Sequence, residues 1–231
     1  MRKLASFVIY RVPLVMPALL YLLGRVQFAL LSFYKDPDDV RLIRRVTDES
    51  NLQLQPQEAH TLLSLARMQS ALEGDMAEVG LYRGGSAKLI CSVKGPRTFW
   101  GFDTFAGLKD VSAEDTHWGV SFFKPGAYAA TQGDVERRLA GFPNVQLRPG
   151  FFPESAGPAA ERQFSFVHLD VDTYASTLAS LRFFWPRMVS GGIVITHDSH
   201  AQGVSKAVTE FTTESSARSF PTTCSQLAFI K

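Results

Sequence analysis

Residues 164–177 read FSFVHLDVDTYAST, a run rich in aromatic and β-branched residues that ends in two carboxylates, Asp170 and Asp172. A short apolar run with little polar alternation reads as a strand covered on both faces, the kind found in parallel sheets. In open sheets of that kind, ligands gather outside the carboxyl ends of the strands. Both acids therefore stand where the chain leaves the core and meets a ligand. The competing reading is that Asp172 caps the helix that follows, because an aspartate readily accepts hydrogen bonds from free helical N–H groups.

Similar runs occur at DMAEVGL, TFWGFD, NVQLRPG and GGIVITHD, with QLAFIK as a final strand, and most are separated by enough residues for a helix. Strands alternating with helical segments define an α/β fold: an open, mostly parallel, Rossmann-like sheet with helices on both faces. Helices are expected over 38–50 and 57–73 ahead of the first strand. The strand ends then place Glu78 and Gly80, Asp103, Gly150, Asp170 with Asp172, and His197 with Asp198 along one edge.

After the first strand comes Glu78-Val79-Gly80-Leu81-Tyr82-Arg83-Gly84-Gly85-Ser86, which leads into AKLICSV, a helical segment. Glycines there allow a ligand close to the backbone, and the helix start offers free N–H groups. The spacing is neither G-x-G-x-x-G nor G-x-x-x-x-G-K-[ST], which argues against dinucleotides and nucleoside triphosphates. Glu78 suits a cationic ligand, and Asp103 is placed to accept ribose hydroxyls. S-adenosylmethionine, a sulfonium on an unphosphorylated nucleoside, has that character. A tight turn with no ligand is the plain alternative.

The composition allows one domain of ordinary size with an appendage: 231 residues, 45% hydrophobic, formal net charge +2. No long basic block or zinc-finger spacing points to a nucleic-acid partner. Cys91 and Cys224 lie far apart and read as reduced thiols. Arg2, Lys3, Arg11 and Arg25 precede the first acid, Asp36, so the first 34 residues carry +4 and are otherwise strongly apolar. No block there reaches the roughly 20 residues that cross a bilayer, and Pro13 and Pro17 would interrupt a helix. Residues 1–35 thus read as an apolar basic arm. It is either an anchor at a membrane interface or a helix packed on the domain or on a second subunit of a homo-oligomer. Residues 36–231 read as the catalytic domain, cytoplasmic, and peripheral at the inner face of the membrane if the arm is an anchor.

The segments GDMAEVGLYRGGSA, FWGFDTFAGL, NVQLRPGFFPES and FVHLDVDTYASTLASLRFFWPRMVSGGIVITHDS, in this order, resemble the macrocin O-methyltransferase (TylF/MycF-like) family of S-adenosylmethionine-dependent enzymes. The likeness covers most of residues 36–231. It implies a class I methyltransferase fold and transfer of a methyl group to a hydroxyl of a sugar, glycan or secondary metabolite. It also implies cofactor contacts from Glu78, Gly80, Tyr82, Gly84, Gly85, Ser86, Asp103, Thr104, Phe105 and Asp170. In many relatives an acidic strand end and an Asp-Asp pair after the next strand hold magnesium. Here those positions read Asp170 or Asp172, then His197 and Asp198. Magnesium favours oxygen donors, so three options stand: magnesium on Asp170, Asp172 and Asp198, another divalent ion that accepts the imidazole of His197, or no metal with His197 as base.

Asp170, His197 and Asp198 are the catalytic candidates. Arg83 and Arg187 are candidates to pair with the acids. The long segment between the second and third strand units carries His117, Trp118, Phe122, Phe123 and Tyr128, and reads as a lid whose aromatics either wall an acceptor pocket or pack the loop down. His168, inside a strand, reads as a core histidine. Two other functions remain open at this level: a membrane-associated S-adenosylmethionine-binding protein without catalysis, and an oxidoreductase on a similar sheet, the latter disfavoured by the glycine spacing.

Overall fold

A computed structural model describes residues 15–117, 120, 121 and 123–231. The chain begins with α1 (Val15–Tyr34), α2 (Pro37–Ser50) and α3 (Pro56–Gln69). Pro17 falls within α1 rather than ending it. Helix α2 opens on a proline, the Asp36 carboxylate accepts from the Asp38 N–H at 2.7 Å, and the helix closes on Asn51 in the left-handed region (φ 51°). Helix α3 also opens on a proline, with Glu58 in its first turn accepting from the Gln55 N–H at 2.9 Å.

Strand β1 (Asp75–Val79), α4 (Gly85–Val93) and β2 (Phe99–Asp103) follow, then a long connector holding the short strands β3 (Thr116–His117) and β4 (Val120–Ser121). The chain continues through α5 (Gln132–Leu139), β5 (Val145–Pro149), β6 (Phe164–Leu169), α6 (Tyr174–Phe184), β7 (Met188–Thr196) and α7 (Gln202–Ser215), ending with β8 (Ser219–Pro221) and β9 (Leu227–Ile230). The main sheet has the order β5-β2-β1-β6-β7-β9-β8. Its first five strands are parallel, and β9 and β8 are antiparallel additions at the edge. The sequence grows outward from β1 through β2 to β5, then returns to place β6 on the other side of β1. That reversal opens a crevice at the carboxyl ends of β1 and β6.

Alternation along the strands splits the core into two layers. Met76, Phe99, Phe166 and Ile195 face α2, α3 and α4. Ala77, Val79, Phe102, Val167 and Val194 face α6 and α7. In the second layer Phe102, Phe152 and Phe184 contact one another, with ring centroids 4.8 Å apart for Phe102 and Phe152 and 5.2 Å for Phe152 and Phe184. Each such pair adds about 0.5–1.5 kcal/mol beyond burial. Because they join β2, the loop after β5 and α6, the floor beneath the crevice is held from three directions.

Two details depart from the sequence reading. The helix expected over 57–73 stops at Gln69, and Ser70 and Leu72 turn back onto the carbonyls of Ala66 and Gln69 ahead of Gly74. Strands β3, β4 and β8 escaped notice because two or three residues carry no period. Helix α1 packs through buried Leu31 and through Gln27, whose side-chain carbonyl accepts from the Gln57 N–H at 3.1 Å. Tyr21, Leu22, Val26, Leu30 and Phe33 stay exposed, Phe33 at 90%. Among the described residues no helix is long and apolar enough to cross a membrane.

Candidate active site

The crevice forms an open pocket at the carboxyl ends of the strands. It is walled by the β1–α4 turn, the end of β2, the loop after β5, the ends of β6 and β7, and residues 50–54.

Gly80 fixes where β1 leaves the sheet. Its φ of +88° is one that L side chains rarely adopt, and a Cβ there would collide with the Asp170 carbonyl oxygen, so only glycine lets the turn pass over the end of β6. Asp103 then ties the turn to β2. One of its carboxylate oxygens accepts from the N–H groups of Leu81 and Tyr82, both at 2.8 Å, and the other from Phe105 at 2.7 Å. Burial pushes the Asp103 carboxyl up, against the opposing pull of these donors. Asp103 keeps lone-pair capacity on its cavity side, but its larger share is spent on its own backbone.

Of the expected cofactor contacts, Gly80, Tyr82, Gly85, Ser86, Asp103, Thr104 and Asp170 line the cavity, whereas Glu78, Gly84 and Phe105 do not. For Glu78 the reason is strand alternation. It shares a sheet face with Met76, opposite His168 on β6, and is fully buried there. His168 Nδ1 lies 2.6 Å from one Glu78 oxygen, and Ser86 holds the same carboxyl. Desolvation raises the Glu78 pKa. Gly84 is the left-handed N-cap residue of α4, packed on Val135. Phe105 belongs to the apolar layer on the α2–α4 face.

Asp170, Asp172, His197 and Asp198 also line the cavity. His197 Nδ1 lies 3.2 Å from Asp170 and 3.3 Å from Asp198. Its Nε2 lies 3.2 Å from Glu58, a residue no sequence pattern singled out, and 3.1 Å from the Ser225 hydroxyl. Glu58 is buried, caps α3 with one oxygen, and accepts from the Ser225 N–H and hydroxyl with the other. Burial opposes its charge, but His197 and Ser225 outweigh that and hold Glu58 down to about 2. Burial likewise opposes charge on His197, and Asp170, Asp198 and Glu58 reverse it, so its pKa lies well above the usual value. Asp198 is held down to about 2, burial again losing to His197. Asp172 goes the other way: enclosure, then the charges of Asp170 and Asp198, raise its pKa, and its carboxyl is hydrogen-bonded to Asp198. Asp172 keeps some accessible surface because it faces the cavity.

One ligand atom each from Asp170, His197 and Asp198 lie within 4.8 Å of one another, and they form the group among the described residues able to hold a metal ion. The expected third carboxylate, Asp172, is not in it; His197 takes that position. Nor does Asp172 cap α6. The first N–H of that helix, on Tyr174, donates instead to Asp115 at 2.7 Å, and Asp110 of the same connector accepts from Thr173 and Ser176. The connector is thus tied across the mouth of the cavity. From it Tyr128 reaches the site, edge-on to Tyr82 at 5.7 Å, its hydroxyl pushed up to about 12 by burial and by Asp172, Asp198 and Asp170. Trp118 and Phe122 lie outside the described residues. Arg83 stacks over Tyr82, and Arg187 donates to the carbonyls of Ala160 and Phe183; neither pairs with the acids.

An open sheet reversed between β1 and β6, with a glycine turn and a β2 acid at the reversal, defines the class I methyltransferase fold. The chain belongs to the macrocin-O-methyltransferase (TylF) family, whose model matches residues 55–221. It is 26% identical over 167 residues to the demethyldecarbamoylnovobiocin O-methyltransferase of Streptomyces niveus, covering 62% of this chain and 63% of that relative. It is 25% identical over 181 residues to the mycinamicin III 3''-O-methyltransferase of Micromonospora griseorubida, covering 68% of this chain and 71% of the relative. Among solved structures, the O-methyltransferase NovP superposes with a TM-score of 0.68 at 21% identity, over 93% of this chain and 98% of that one.

The Glu58–His197 pair gives stability a defined pH window. Glu58, lowered from 4.5, contributes fully above pH 4.5 and loses its contribution as pH falls towards 2. His197, raised from 6.5, contributes fully below pH 6.5 and loses its contribution as pH rises through its higher folded value. Urea denaturation of metal-stripped protein should show Glu58→Gln costing on the order of 3 kcal/mol at pH 5–6, with the gap to wild type closing only as pH falls to about 2. A gap independent of pH would contradict the pairing.

Proposed function

We propose that the protein transfers a methyl group from S-adenosylmethionine to a hydroxyl of a sugar or glycosylated secondary metabolite. The observation that carries this reading is the cavity at the sheet reversal, where the glycine turn held by Asp103 adjoins Asp170, His197 and Asp198. When bound, the donor supplies a methyl group on a positively charged sulfur, which an acceptor oxygen displaces in line. The turn offers free N–H groups at the start of α4, and the remaining capacity of Asp103 suits ribose hydroxyls. The carboxylates beside the turn favour the positive charge of the donor. A divalent ion, when bound at Asp170, His197 and Asp198, supplies a lowered pKa to a coordinated hydroxyl.

With no ion bound, Asp170 is the group we assign to receive the acceptor proton, oriented by His197 at 3.2 Å. His197 is poorly suited to be the base, since carboxylates face both of its ring nitrogens and favour its protonated form. Tyr82 and Tyr128 present ring faces and hydroxyls together, a surface suited to a sugar. The connector tied down by Asp110 and Asp115 keeps water from the acceptor. Family membership and relatives named as O-methyltransferases of glycosylated metabolites support the acceptor class.

We further propose that the arm rests on a membrane surface, with the protein otherwise cytoplasmic. The exposed side chains of Tyr21, Leu22, Val26, Leu30 and Phe33 supply apolar area, and Arg2, Lys3, Arg11 and Arg25 supply the charge that anionic headgroups attract. The alternative occupant is a second copy of the chain.

Two outcomes are expected. Asp170→Asn should bind S-adenosylhomocysteine in calorimetry while turnover on a glycosylated acceptor panel falls at least ~10²-fold; full turnover would remove Asp170 from the chemistry. In flotation with phosphatidylglycerol-containing vesicles the full chain should rise with lipid, and the double substitution Leu22→Glu with Phe33→Glu should leave it at the bottom. Equal recovery of both proteins would exclude α1 as the contact.

A further inference from the structure

We propose that the acid cluster takes a divalent ion of the imidazole-accepting kind, with His197 Nδ1 as a ligand and Glu58 as the residue that positions it, in preference to magnesium. This deepens the reading of the same site.

The spacing supports a ligand set. Donors bonded to one ion at about 2.1 Å stand roughly 3.0 Å apart in an octahedron and 3.4 Å apart in a tetrahedron. The distances from Nδ1 to the oxygens of Asp170 and Asp198 are 3.2 and 3.3 Å. The ligand atoms of all three lie within 4.8 Å of one another on the cavity wall.

The charge supports an ion. Asp170, Asp172 and Asp198 converge on a space where the buried imidazole of His197 touches two of the acids, and the exposed imidazole of His200 stands 3.8 Å from Asp198. Arg83 and Arg187, the other candidates, are turned to other partners. A dication in place of the Nδ1 proton would compensate the acids more fully.

The identity follows from the donor set. Magnesium seeks near-octahedral oxygen and sheds water reluctantly, whereas imidazole suits zinc, iron and neighbouring first-row ions. A ligating histidine almost always donates its other ring N–H to a carboxylate, which fixes the tautomer and the ring. Glu58 fills that place at 3.2 Å from Nε2. It is itself fixed by the Ser225 N–H and hydroxyl and by the Gln55 N–H, so the ring cannot swing away.

The test uses tag-free full chain stripped with a chelator and titrated calorimetrically with Zn2+, Mn2+ and Mg2+. Mn2+-loaded protein is then read by pulsed electron paramagnetic resonance for coupling to 14N. Binding in the order Zn2+, Mn2+, Mg2+, at least tenfold between the first and last, with one coupled imidazole nitrogen, is the expected result. His197→Asp should abolish the nitrogen coupling and remove the preference over Mg2+. Glu58→Gln should keep the coupling and weaken Zn2+ binding about 10–100-fold. His200→Ala, at an exposed side chain 3.8 Å from Asp198, should leave both readouts unchanged. Absence of 14N coupling in wild type, tighter binding of Mg2+, or no binding of any of the three ions would overturn the proposal, whether or not the variants fold. S-adenosylhomocysteine binding, measured on the same preparation, separates a failed metal assignment from a failed donor site.

Discussion

The structure depends on how closely β1 and β6 come together where the chain order reverses. The Asp170 N–H donates to the Val79 carbonyl at 2.9 Å, and Gly80 passes over the Asp170 carbonyl with no space for a side chain. That contact joins the glycine turn on the cavity wall to the strand that supplies Asp170. Neither half can shift without the other. The distance between the glycine turn and Asp170 is therefore a property of the sheet rather than of flexible loops.

Carboxylates are used in three different ways around this contact. Asp103 spends its charge on backbone N–H groups and so acts chiefly as a strut for the turn. Glu78 and His168 pair through one atom each within the α2–α4 face, buried from solvent. Asp170, Asp172 and Asp198 are crowded together on the cavity wall, where mutual repulsion is relieved by His197 and by the shift of Asp172 towards its neutral form. A divalent ion has most to gain at the third place, where three carboxyls meet on the cavity wall.

Much of this was legible in the sequence because strands buried on both faces announce themselves by composition, and because the parallel-sheet rule gathers their ends. The runs around Ala77, Phe102, Val167 and Val194 each became a strand, and Gly80, Asp103, Asp170, His197 and Asp198 came together as that rule requires. Strand ends also mislead by one residue: Glu78 looked like a rim acid, yet alternation turns it into the packed face. Glu58 was invisible for a different reason. It sits in the first turn of α3 and reads as a helix cap, and only the tertiary fold brings it and Ser225 behind His197. The tie from Asp115 to α6 was hidden likewise, since the sequence offered Asp172 as the nearer cap. Contacts of this kind depend on which loop crosses which helix, information that local period and residue type do not carry.

The central claim is that the cavity at the reversal binds the methyl donor with its sulfur turned towards the acids. A crystal structure with S-adenosylhomocysteine tests it most directly. The account predicts the nucleoside between Gly80 and Asp103 and the sulfur facing the space bounded by Asp170, His197, Asp198 and Tyr128. A nucleoside bound outside this cavity, or a sulfur directed away from Asp170, would contradict it.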